Sequence, residues 1–370
     1  MATRHILVFP FLDENPYQSL LYEALEPYGF TAGEGELKLH WLARNRRNAR
    51  VLHFHWPQPW YAHRRGGGPL TWVKLGLFAI RLAGARAMGY RVAWTIHEVF
   101  PLNPAPAWVD RLGSRILARS SDVLLANDEE TAAQAVAELG ESRTEITVVP
   151  HPAYVDAYPQ GRPRAEVRAE LGVSESGFLF LLFGHVTEYK RIETFVDAFR
   201  AAGVQDAYLL VAGLDQHPPS AEYVRAAAAE DPRIRFELDF VPDERVAELF
   251  GASDAAIAPR QDGGTSGALV LALSMGVPVV AADVQTYRRV TAGEQAAWLY
   301  VPWDEASMTA ALRAAATDPA GAREKGEAGR TLVASVSWEA LAATTAGLLN
   351  AALGTVSAGA TPGAATQEPA

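Results

Sequence analysis

The sequence predicts an α/β protein with two domains, each built on a parallel β-sheet that is covered by helices. Short apolar segments alternate with longer amphipathic ones along the chain, and strands that alternate with helices pair in parallel through crossover connections. The strand segments are almost entirely apolar, as is typical of a sheet with both faces covered. At 370 residues, the chain is too long for a single ordinary hydrophobic core, and its 49% apolar composition is enough to fill two.

The predicted strands fall into two groups separated by a break rich in proline and glycine. The first group comprises HILVFPF, VLHFHW, RVAWTIH, DVLLAN and TEITVVPHP, with helical segments between them. The break is HPAYVDAYPQGRPR, which we interpret as the interdomain linker. The second group comprises FLFLLFGH, AYLLVAGL, IRFELDFV, DAAIAPR, PVVAAD and WLYVPW.

These segments predict an N-terminal domain over residues 1–158 and a C-terminal domain over residues 159–336. A closing helix is predicted over residues 337–353, because SWEALAATTAGLLNAAL is continuously helix-forming. The tail, residues 354–370, has too few large apolar groups to offset its ordering entropy, so we predict that it is disordered.

Composition excludes several kinds of chemistry. The chain has no cysteine, which rules out disulfides, thiolate metal sites and a cysteine nucleophile. The first apolar run is interrupted at Asp13 and Glu14, too early for a signal peptide or a membrane span, so we expect a cytoplasmic protein. No G-x-G-x-x-G follows the first strand, which argues against a nicotinamide-dependent dehydrogenase.

The net charge of −10 conceals a basic segment in the first half. No Asp or Glu lies between Glu36 and Glu98, and we predict that this surface meets an anionic partner. An alternative is a solvated face paired with carboxylates from elsewhere in the fold. The basic residues of the segment are Lys38, Arg44, Arg46, Arg47, Arg50, Arg64, Arg65, Lys74, Arg81, Arg86 and Arg91.

Ligands of open parallel sheets bind beyond the carboxyl ends of the strands. The segment RQDGGTSG follows one such strand, and Gly263 and Gly264 allow close backbone approach there. Thr265 and Ser266 supply hydroxyls and an N-cap to a helix whose free N–H groups and dipole favour an anion. A Ser N-cap after glycines is also common without any ligand. Lys190, after another strand, would neutralise the same anion, unless it is an ordinary solvated lysine.

Histidines also lie at strand ends. His97 follows RVAWTI, where it would bond a sugar hydroxyl or transfer a proton, or else be a structural histidine satisfied by backbone. His53 and His55 are expected on opposite faces of a strand, which argues against a shared metal. No His or carboxylate cluster has convincing metal-ligand spacing, so no metal site is predicted.

Together these motifs resemble the GT-B glycosyltransferases of the bacterial family 4 type, over about residues 5 to 350. FGHVTEYKRIETFVDAF resembles the first strand, loop and lysine of that family's donor domain. VPDERVAELFGASDAAIAPRQDGGTSGALVLALSMGVPVVAAD resembles its nucleotide-sugar segment, and SVSWEALAATTAGLL resembles its closing helix. The resemblance implies two Rossmann-like domains facing across a cleft, with the donor bound by the second domain and the acceptor by the first.

The resemblance also implies roles for single residues. Lys190 matches the lysine that binds the diphosphate and His97 the histidine near the transferred sugar, and both are predicted catalytic residues. Two departures are visible: His185 replaces an arginine, and the family's paired glutamates align with Gly263 and Leu271. This pattern is more similar to a sub-group with a TSGA helix start. The predicted donor-binding residues are Gly184, His185, Lys190, Gly213, Arg260, Asp262, Gly264, Thr265, Ser266 and Gly267.

We therefore predict a glycosyltransferase that moves a sugar from a nucleotide-diphosphate donor to a glycan or lipid-linked acceptor, in cell-surface polysaccharide or glycolipid assembly. No cofactor, metal or nucleic-acid partner is expected. The basic helix PLTWVKLGLFAIRLAGARAMGY predicts a peripheral protein of the inner membrane face, although packing of the helix on a sheet also explains its apolar residues. The alternatives are a non-catalytic sugar-nucleotide-binding or scaffold subunit of the same fold, and a GT-B sugar-nucleotide epimerase.

Overall fold

A computed structural model describes residues 4–12, 16–62, 68–101, 105–140, 142–155, 157–261 and 264–354. These residues form two six-stranded sheets in which every paired strand runs parallel to its neighbour. Helices cover both faces of each sheet. The predicted two-domain α/β fold is therefore confirmed.

The strands follow the predicted apolar segments closely. In the first sheet they are β1 (Arg4–Phe9), β2 (Phe30–Glu34), β3 (Ala49–Phe54), β4 (Arg91–Ile96), β5 (Val123–Ala126) and β6 (Ile146–Val148). In the second sheet they are β7 (Phe178–Phe183), β8 (Ala207–Ala212), β9 (Ile234–Glu237), β10 (Ala255–Ala258), β11 (Val279–Ala282) and β12 (Ala297–Tyr300).

The described helices connect these strands. Those around the first sheet are α1 (Pro16–Leu25), α2 (Leu39–Asn45), α3 (Gln58–Tyr61), α4 (Pro69–Ala87), α5 (Ala107–Ser120) and α6 (Glu129–Leu139). The remaining helices are α7 (Arg164–Glu170), α8 (Ile192–Ala202), α9 (Pro218–Glu230), α10 (Asp243–Ala252), α11 (Gly267–Ser274), α12 (Gln285–Val290), α13 (Glu305–Ala316), α14 (Pro319–Ala334) and α15 (Trp338–Ala352).

One strand was absent from the sequence prediction. β2 pairs with β1 at the edge of the first sheet, and its sequence FTAGE contains a glycine and ends in a glutamate. Only Phe30 of this strand is buried. A short edge strand needs no continuous apolar run, because only part of it contacts the core.

Strand order determines where each sheet can bind a ligand. The second sheet has the order β12-β11-β10-β7-β8-β9, and the chain reverses its direction of travel across the sheet between β7 and β10. The first sheet has the order β2-β1-β3-β4-β5-β6, which reverses between β1 and β3. Loops diverge from such a switch point and leave a crevice at the carboxyl ends of the strands.

The last helix packs with the first domain. Leu341, Ala346 and Leu349 of α15 lie in the same apolar cluster as Leu21 and Tyr22 of α1. The segment Pro319–Ala352 is long and apolar enough by composition to cross a membrane, but it consists of two helices, α14 and α15, and 33% of its apolar window is buried. The predicted disordered tail lies outside the described residues beyond Gly354.

Candidate active site

The two predicted anion-binding segments meet at the switch point of the second sheet. β7 and β10 are paired neighbours, Lys190 follows β7, and residues 260–267 follow β10. The crevice between the two loops is the position where open α/β sheets bind ligands. The structure thus brings these two segments, which are about 70 residues apart in sequence, to one edge of the sheet.

Lys190 is a buried cation at this edge. It ends a short 3-10 turn, Glu188–Lys190, and is only 9% exposed. Its Nζ lies 3.2 Å from the position that a Cβ atom would occupy at Gly184. Burial lowers the pKa of Lys190 to about 8, and no carboxylate of the described residues forms an ion pair with it. A desolvated ammonium group without a counter-charge favours an anionic ligand.

Two predicted glycines allow the backbone to pack closely beneath this lysine. Gly184 and Gly213 adopt φ angles of 97° and 140°, which L residues with side chains rarely adopt. A Cβ atom at Gly213 would lie 2.5 Å from the carbonyl oxygen of Gly184. The loops after β7 and β8 therefore require glycine at both positions.

The loop after β10 leads into the N-terminus of α11. Ser266 is the N-cap of this helix, and its hydroxyl accepts a 3.3 Å hydrogen bond from the Leu269 N–H. Gly264 has a φ of 79°, and a Cβ atom there would lie 2.8 Å from the Arg260 guanidinium. Arg260 therefore lies directly against the glycine loop. Of the other predicted residues, His185 and Gly267 are exposed, and Asp262 lies outside the described residues.

Thr265 has a partner in the other domain. Its hydroxyl donates a 2.6 Å hydrogen bond to Oδ2 of Asp128, which follows β5. Asp128 is also the N-cap of α6, where its carboxylate accepts from the Thr131 N–H at 2.7 Å. The sequence prediction missed Asp128, although it stands at the end of a strand like the residues that were chosen.

Two more contacts join the start of α6 to the second domain. Glu130 accepts a 2.6 Å hydrogen bond from the Thr286 hydroxyl, and Glu129 pairs with Arg289 at 2.9 Å. Together with the bond between Asp128 and Thr265, they hold the domains together along one side of the cleft.

His97 lies at the end of β4 with both ring nitrogens bonded to protein groups. Nδ1 accepts from the Asn127 amide at 3.1 Å, and Nε2 lies 3.0 Å from His55 Nδ1. Trp56 stacks on the ring at 4.6 Å, and Tyr17 contacts it edge-on at 4.9 Å. Burial, with smaller effects of His151 and His53, lowers the pKa of His97 to about 3.

The prediction that His53 and His55 lie on opposite faces was wrong. Both rings bond to the Tyr22 hydroxyl, His53 through Nδ1 at 2.9 Å and His55 through Nε2 at 2.8 Å. Residues i and i+2 of a strand share a face, so the alternating pattern HFH places both histidines on one side of β3.

His53, His55 and His97 form a histidine cluster in the first domain. His151, which follows β6, extends this cluster toward the second domain. Its ring contacts Tyr17 at a centroid distance of 5.1 Å. Its Nε2 lies 3.8 Å from the position of a Cβ atom at Gly267, the first residue of α11. The histidine cluster of the first domain thus approaches the N-terminus of α11. Among the described residues, no group of three or more His, Asp or Glu is arranged to hold a metal ion.

Two facing parallel-sheet domains, with a crevice at the switch point of the second, are the architecture of the GT-B fold, the fold of a large class of glycosyltransferases. Comparison with known proteins gives the same result. The family model for glycosyl transferases group 1 matches residues 177–318, which extend from just before β7 to the end of α13. The predicted resemblance to GT-B glycosyltransferases is confirmed, and sugar transfer is supported as the class of reaction.

Among curated relatives, the chain is 25% identical over 331 residues to the GDP-mannose:glycolipid 4-beta-D-mannosyltransferase of Xanthomonas campestris, covering 86% of this chain and 84% of that protein. It is 30% identical over 190 residues to a D-inositol 3-phosphate glycosyltransferase of Nocardia farcinica, covering 49% of this chain and 42% of the relative.

Solved structures show the same fold. Sucrose-phosphate synthase from Thermosynechococcus elongatus superposes with a TM-score of 0.73 at 18% identity, covering 95% of this chain and 100% of that one. The Anabaena protein HepE in complex with UDP superposes with a TM-score of 0.73 at 12% identity, covering 94% and 100%.

Proposed function

We propose that this protein is a hexosyltransferase that moves a sugar from a nucleoside-diphosphate sugar to a lipid-linked or glycan acceptor in cell-surface glycolipid or polysaccharide assembly. The observation that carries the proposal is the buried Lys190, which forms no ion pair with the described residues and follows the strand next to the one that leads into α11. A diphosphate would supply the counter-charge that the lysine lacks. The relative named as a GDP-mannose:glycolipid mannosyltransferase makes GDP-mannose the first donor to test and a glycolipid the first acceptor.

In this proposal the donor diphosphate binds at the N-terminus of α11. The free N–H groups and helix dipole stabilise its charge, and Thr265 and Ser266 supply hydroxyls. Lys190 and Arg260 neutralise the charge that develops on the leaving nucleoside diphosphate. With two cations and a helix N-terminus at the leaving group, the transfer needs no metal, and catalysis consists mainly of positioning and leaving-group stabilisation.

The acceptor would reach the cleft from the first domain, where α4 has an unusual surface. One side of α4 is buried in the core through Leu75, Phe78 and Leu82. The opposite side exposes a set of large apolar residues, and Trp72 stacks on Trp108 of α5 at 4.7 Å. The exposed apolar residues of the helix are Leu70, Trp72, Val73, Leu77 and Ile80. We refer to these five residues as the α4 apolar face.

The cations of the acid-free segment divide into two groups. Some pair with carboxylates, as the alternative interpretation expected: Arg86 and Arg91 contact Asp122, and Lys38 contacts Glu36. Lys74 donates to two backbone carbonyls. Other cations form no ion pair with the described residues, and Arg64 and Arg65 lie outside them. The arginines without an ion pair are Arg44, Arg46, Arg47, Arg50 and Arg81.

Arginines that form no ion pair with the described residues, together with the α4 apolar face, are the combination by which peripheral proteins bind to anionic bilayers. We therefore propose that the protein works at the cytoplasmic membrane surface, where a lipid-linked acceptor is available. Each cation near an anionic leaflet contributes about 1 kcal/mol to such binding.

The proposal is tested with a panel of nucleoside diphosphates and nucleotide sugars in thermal-shift assays. A cognate ligand at one hundred times its Kd stabilises the protein by about 2.7 kcal/mol. Donors that bind are then assayed for slow hydrolysis and for transfer to membrane lipids, with and without EDTA. Hydrolysis or transfer that persists in EDTA supports a metal-independent transferase. Binding without turnover would favour a non-catalytic subunit, and interconversion of the sugar would favour an epimerase.

A further inference from the structure

A continuous chain of hydrogen bonds runs through the core of the first domain to His97. Thr95 Oγ1 lies 2.9 Å from His53 Nε2, and His53 Nδ1 lies 2.9 Å from the Tyr22 hydroxyl. The Tyr22 hydroxyl lies 2.8 Å from His55 Nε2, and His55 Nδ1 lies 3.0 Å from His97 Nε2. The side chains belong to α1, to β3 and β4, and to the residues that directly follow these two strands, so three segments of the fold contribute to one chain of hydrogen bonds.

The amide of Asn127 decides the direction of every bond in this chain. Its nitrogen, which can only donate, lies 3.1 Å from His97 Nδ1, while its oxygen accepts from the Tyr17 hydroxyl at 3.5 Å. His97 Nδ1 is therefore unprotonated, so Nε2 carries the proton and donates to His55 Nδ1. Repeating the argument makes His55 Nε2 a donor to Tyr22, Tyr22 a donor to His53 Nδ1, and His53 Nε2 a donor to Thr95.

Burial keeps the imidazoles neutral, as this assignment requires. Thr95, His53 and His55 are almost completely buried, and desolvation lowers the pKa of His53 to about 3. Desolvation also lowers the pKa of His55 well below its usual value, with smaller effects of His53 and His97. A neutral imidazole has one donor and one acceptor, so each ring can take part in such a chain only as a defined tautomer.

The surroundings of His97 leave its ring no free polar edge. Both nitrogens are bonded, Trp56 covers one part of the ring, and Tyr17 packs against it. A substrate hydroxyl would have to displace Asn127 or His55 to reach a ring nitrogen. Asn127 is only 6% exposed, but it immediately precedes Asp128, whose carboxylate bonds to Thr265 in the loop after β10, and its amide nitrogen carries a second hydrogen.

We propose that His53, Tyr22, His55 and His97 form a positioning chain that orients the Asn127 amide toward the substrate in the cleft. Asn127 is then the residue that contacts the sugar or the acceptor hydroxyl, and His97 acts through it. This inference rests on the proposed transferase function. It assigns a role to Asn127 that its sequence motif does not reveal, because the orientation of the amide is imposed by side chains from other elements.

The first test is Tyr22→Phe, which removes the hydroxyl at the centre of the chain. The matched control is Tyr90→Phe, because Tyr90 is a buried tyrosine of the same domain whose hydroxyl donates to a backbone carbonyl at 2.9 Å. Nitrogen-15 NMR of the histidine rings in the full-length parent should show Nε2–H tautomers for His53, His55 and His97. Tyr22→Phe should disturb these ring signals, and Tyr90→Phe should leave them unchanged.

Activity gives an independent measurement. Tyr22→Phe should lower kcat by about 10- to 100-fold, as small displacements of a positioned group do, while the Kd for the nucleoside diphosphate stays within about twofold. Tyr90→Phe should keep the parental kcat. Equal kcat values for the two variants, or Nδ1–H tautomers in the parent, would overturn the proposal.

The sharpest variant is Asn127→Asp, which replaces the donor to His97 Nδ1 with a group that accepts. His97 Nδ1 should become protonated, an outcome that the NMR spectrum reports directly, and kcat should fall with it. An unprotonated His97 Nδ1 in this variant would refute the role of Asn127 in setting the chain's direction. If the parent has the expected tautomers but turns over no donor, the proposed transferase function is refuted. The direction of the hydrogen bonds from Asn127 to Thr95 is then still supported.

Discussion

The hydroxyl of Thr265 donates a 2.6 Å hydrogen bond to the carboxylate of Asp128 across the cleft between the two domains. The predicted diphosphate-binding loop is therefore held by an acidic side chain of the opposite domain. In the proposed donor complex, the diphosphate would bind the Thr265 hydroxyl and would be repelled by the nearby Asp128 charge. Donor binding and this interdomain contact should compete.

The first prediction concerns Asp128→Asn. An asparagine still caps α6, but it lacks the negative charge, so nucleoside-diphosphate affinity should increase by about 1 kcal/mol, or about fivefold. Isothermal titration calorimetry measures this change. The control is Glu130→Gln, which alters another cross-domain contact at α12 and should leave the affinity unchanged. Weaker binding by Asp128→Asn would show that Asp128 supports donor binding.

The second prediction concerns Lys190→Met. Removing a buried cation should weaken nucleoside-diphosphate binding by about 1.5–3 kcal/mol, the range for a hydrogen bond to a charged group. The thermal midpoint of the ligand-free protein should stay equal or rise, because the burial of an unpaired ammonium group opposes folding. Lys325→Met, at a half-buried lysine of α14 whose ammonium group lies over the Trp298 ring, is the control. Equal affinity of the parent and Lys190→Met would remove Lys190 from the site.

The third prediction compares two glycines with similar backbone conformations. Gly264 and Gly276 have φ angles of 79° and 73°, so alanine at either position should cost about 1–2 kcal/mol of stability. Only at Gly264 does the added Cβ meet the Arg260 guanidinium; at Gly276 nothing lies within 4 Å. Gly264→Ala should therefore weaken donor binding by about 1.5 kcal/mol or more, and Gly276→Ala should not. Equal binding by both variants would exclude Arg260 from the site.

The fourth prediction follows from the histidine cluster. Burial lowers the pKa values of His53 and His97 to about 3 and that of His151 to about 4. Between pH 6.5 and 5 the unfolded chain therefore binds protons at these positions while the folded protein does not. The free energy of unfolding should fall as the pH is lowered through this window, by up to about 1.4 kcal/mol per pH unit for each histidine.

Urea unfolding at pH 7, 6 and 5 measures this slope. Glu248 also contributes to the free energy of unfolding, because its pKa is lowered to about 2. This contribution is lost only at more acidic pH, so it does not mask the slope that the histidines cause. A free energy of unfolding that stays constant between pH 7 and 5 would contradict burial of neutral histidines.

The fifth prediction concerns the α4 apolar face. The protein should cosediment with vesicles that contain anionic lipid at low salt, and less at high salt, because screening weakens the arginine contribution. Replacing Val73 and Ile80 by Ser should reduce binding at both salt concentrations. The control pair is Val136→Ser with Phe236→Ser, at exposed apolar residues elsewhere on the surface. Parental binding by the Val73 and Ile80 variant, or no binding by the parent, would contradict a membrane-facing α4.

Some of the site could be predicted because it follows from local rules. Lys190, Gly184 and Gly264 lie in the loops that follow strands, and the alternation of apolar segments located those strands. Asn127 and Asp128 also follow a strand directly, so the same rule could have found them. Their polar side chains alone did not distinguish them from an ordinary helix start, because Asp is a common N-cap.

Other features could not be predicted at all. Tyr22 joins the two histidines of β3 from α1, and nothing in the helix sequence indicates which strand its hydroxyl faces. Side chains two residues apart in a strand lie on the same face, so the sequence was enough to predict that His53 and His55 share a face. The prediction that they lie on opposite faces misapplied this period. The sequence also does not show which cations of the acid-free segment form ion pairs. Arg86, for example, pairs with Asp122 only because the fold brings these two residues together.

The amino-acid sequence by itself determined the two parallel sheets, the glycine-rich helix start and the lysine that follows β7, because periodicity, glycine conformation and N-capping act over a few neighbouring residues. Only the tertiary structure decided that Thr265 bonds to Asp128, 137 residues away in sequence, and that His97 is bonded at both nitrogens. These contacts depend on the packing of whole domains and elements, which local patterns do not encode.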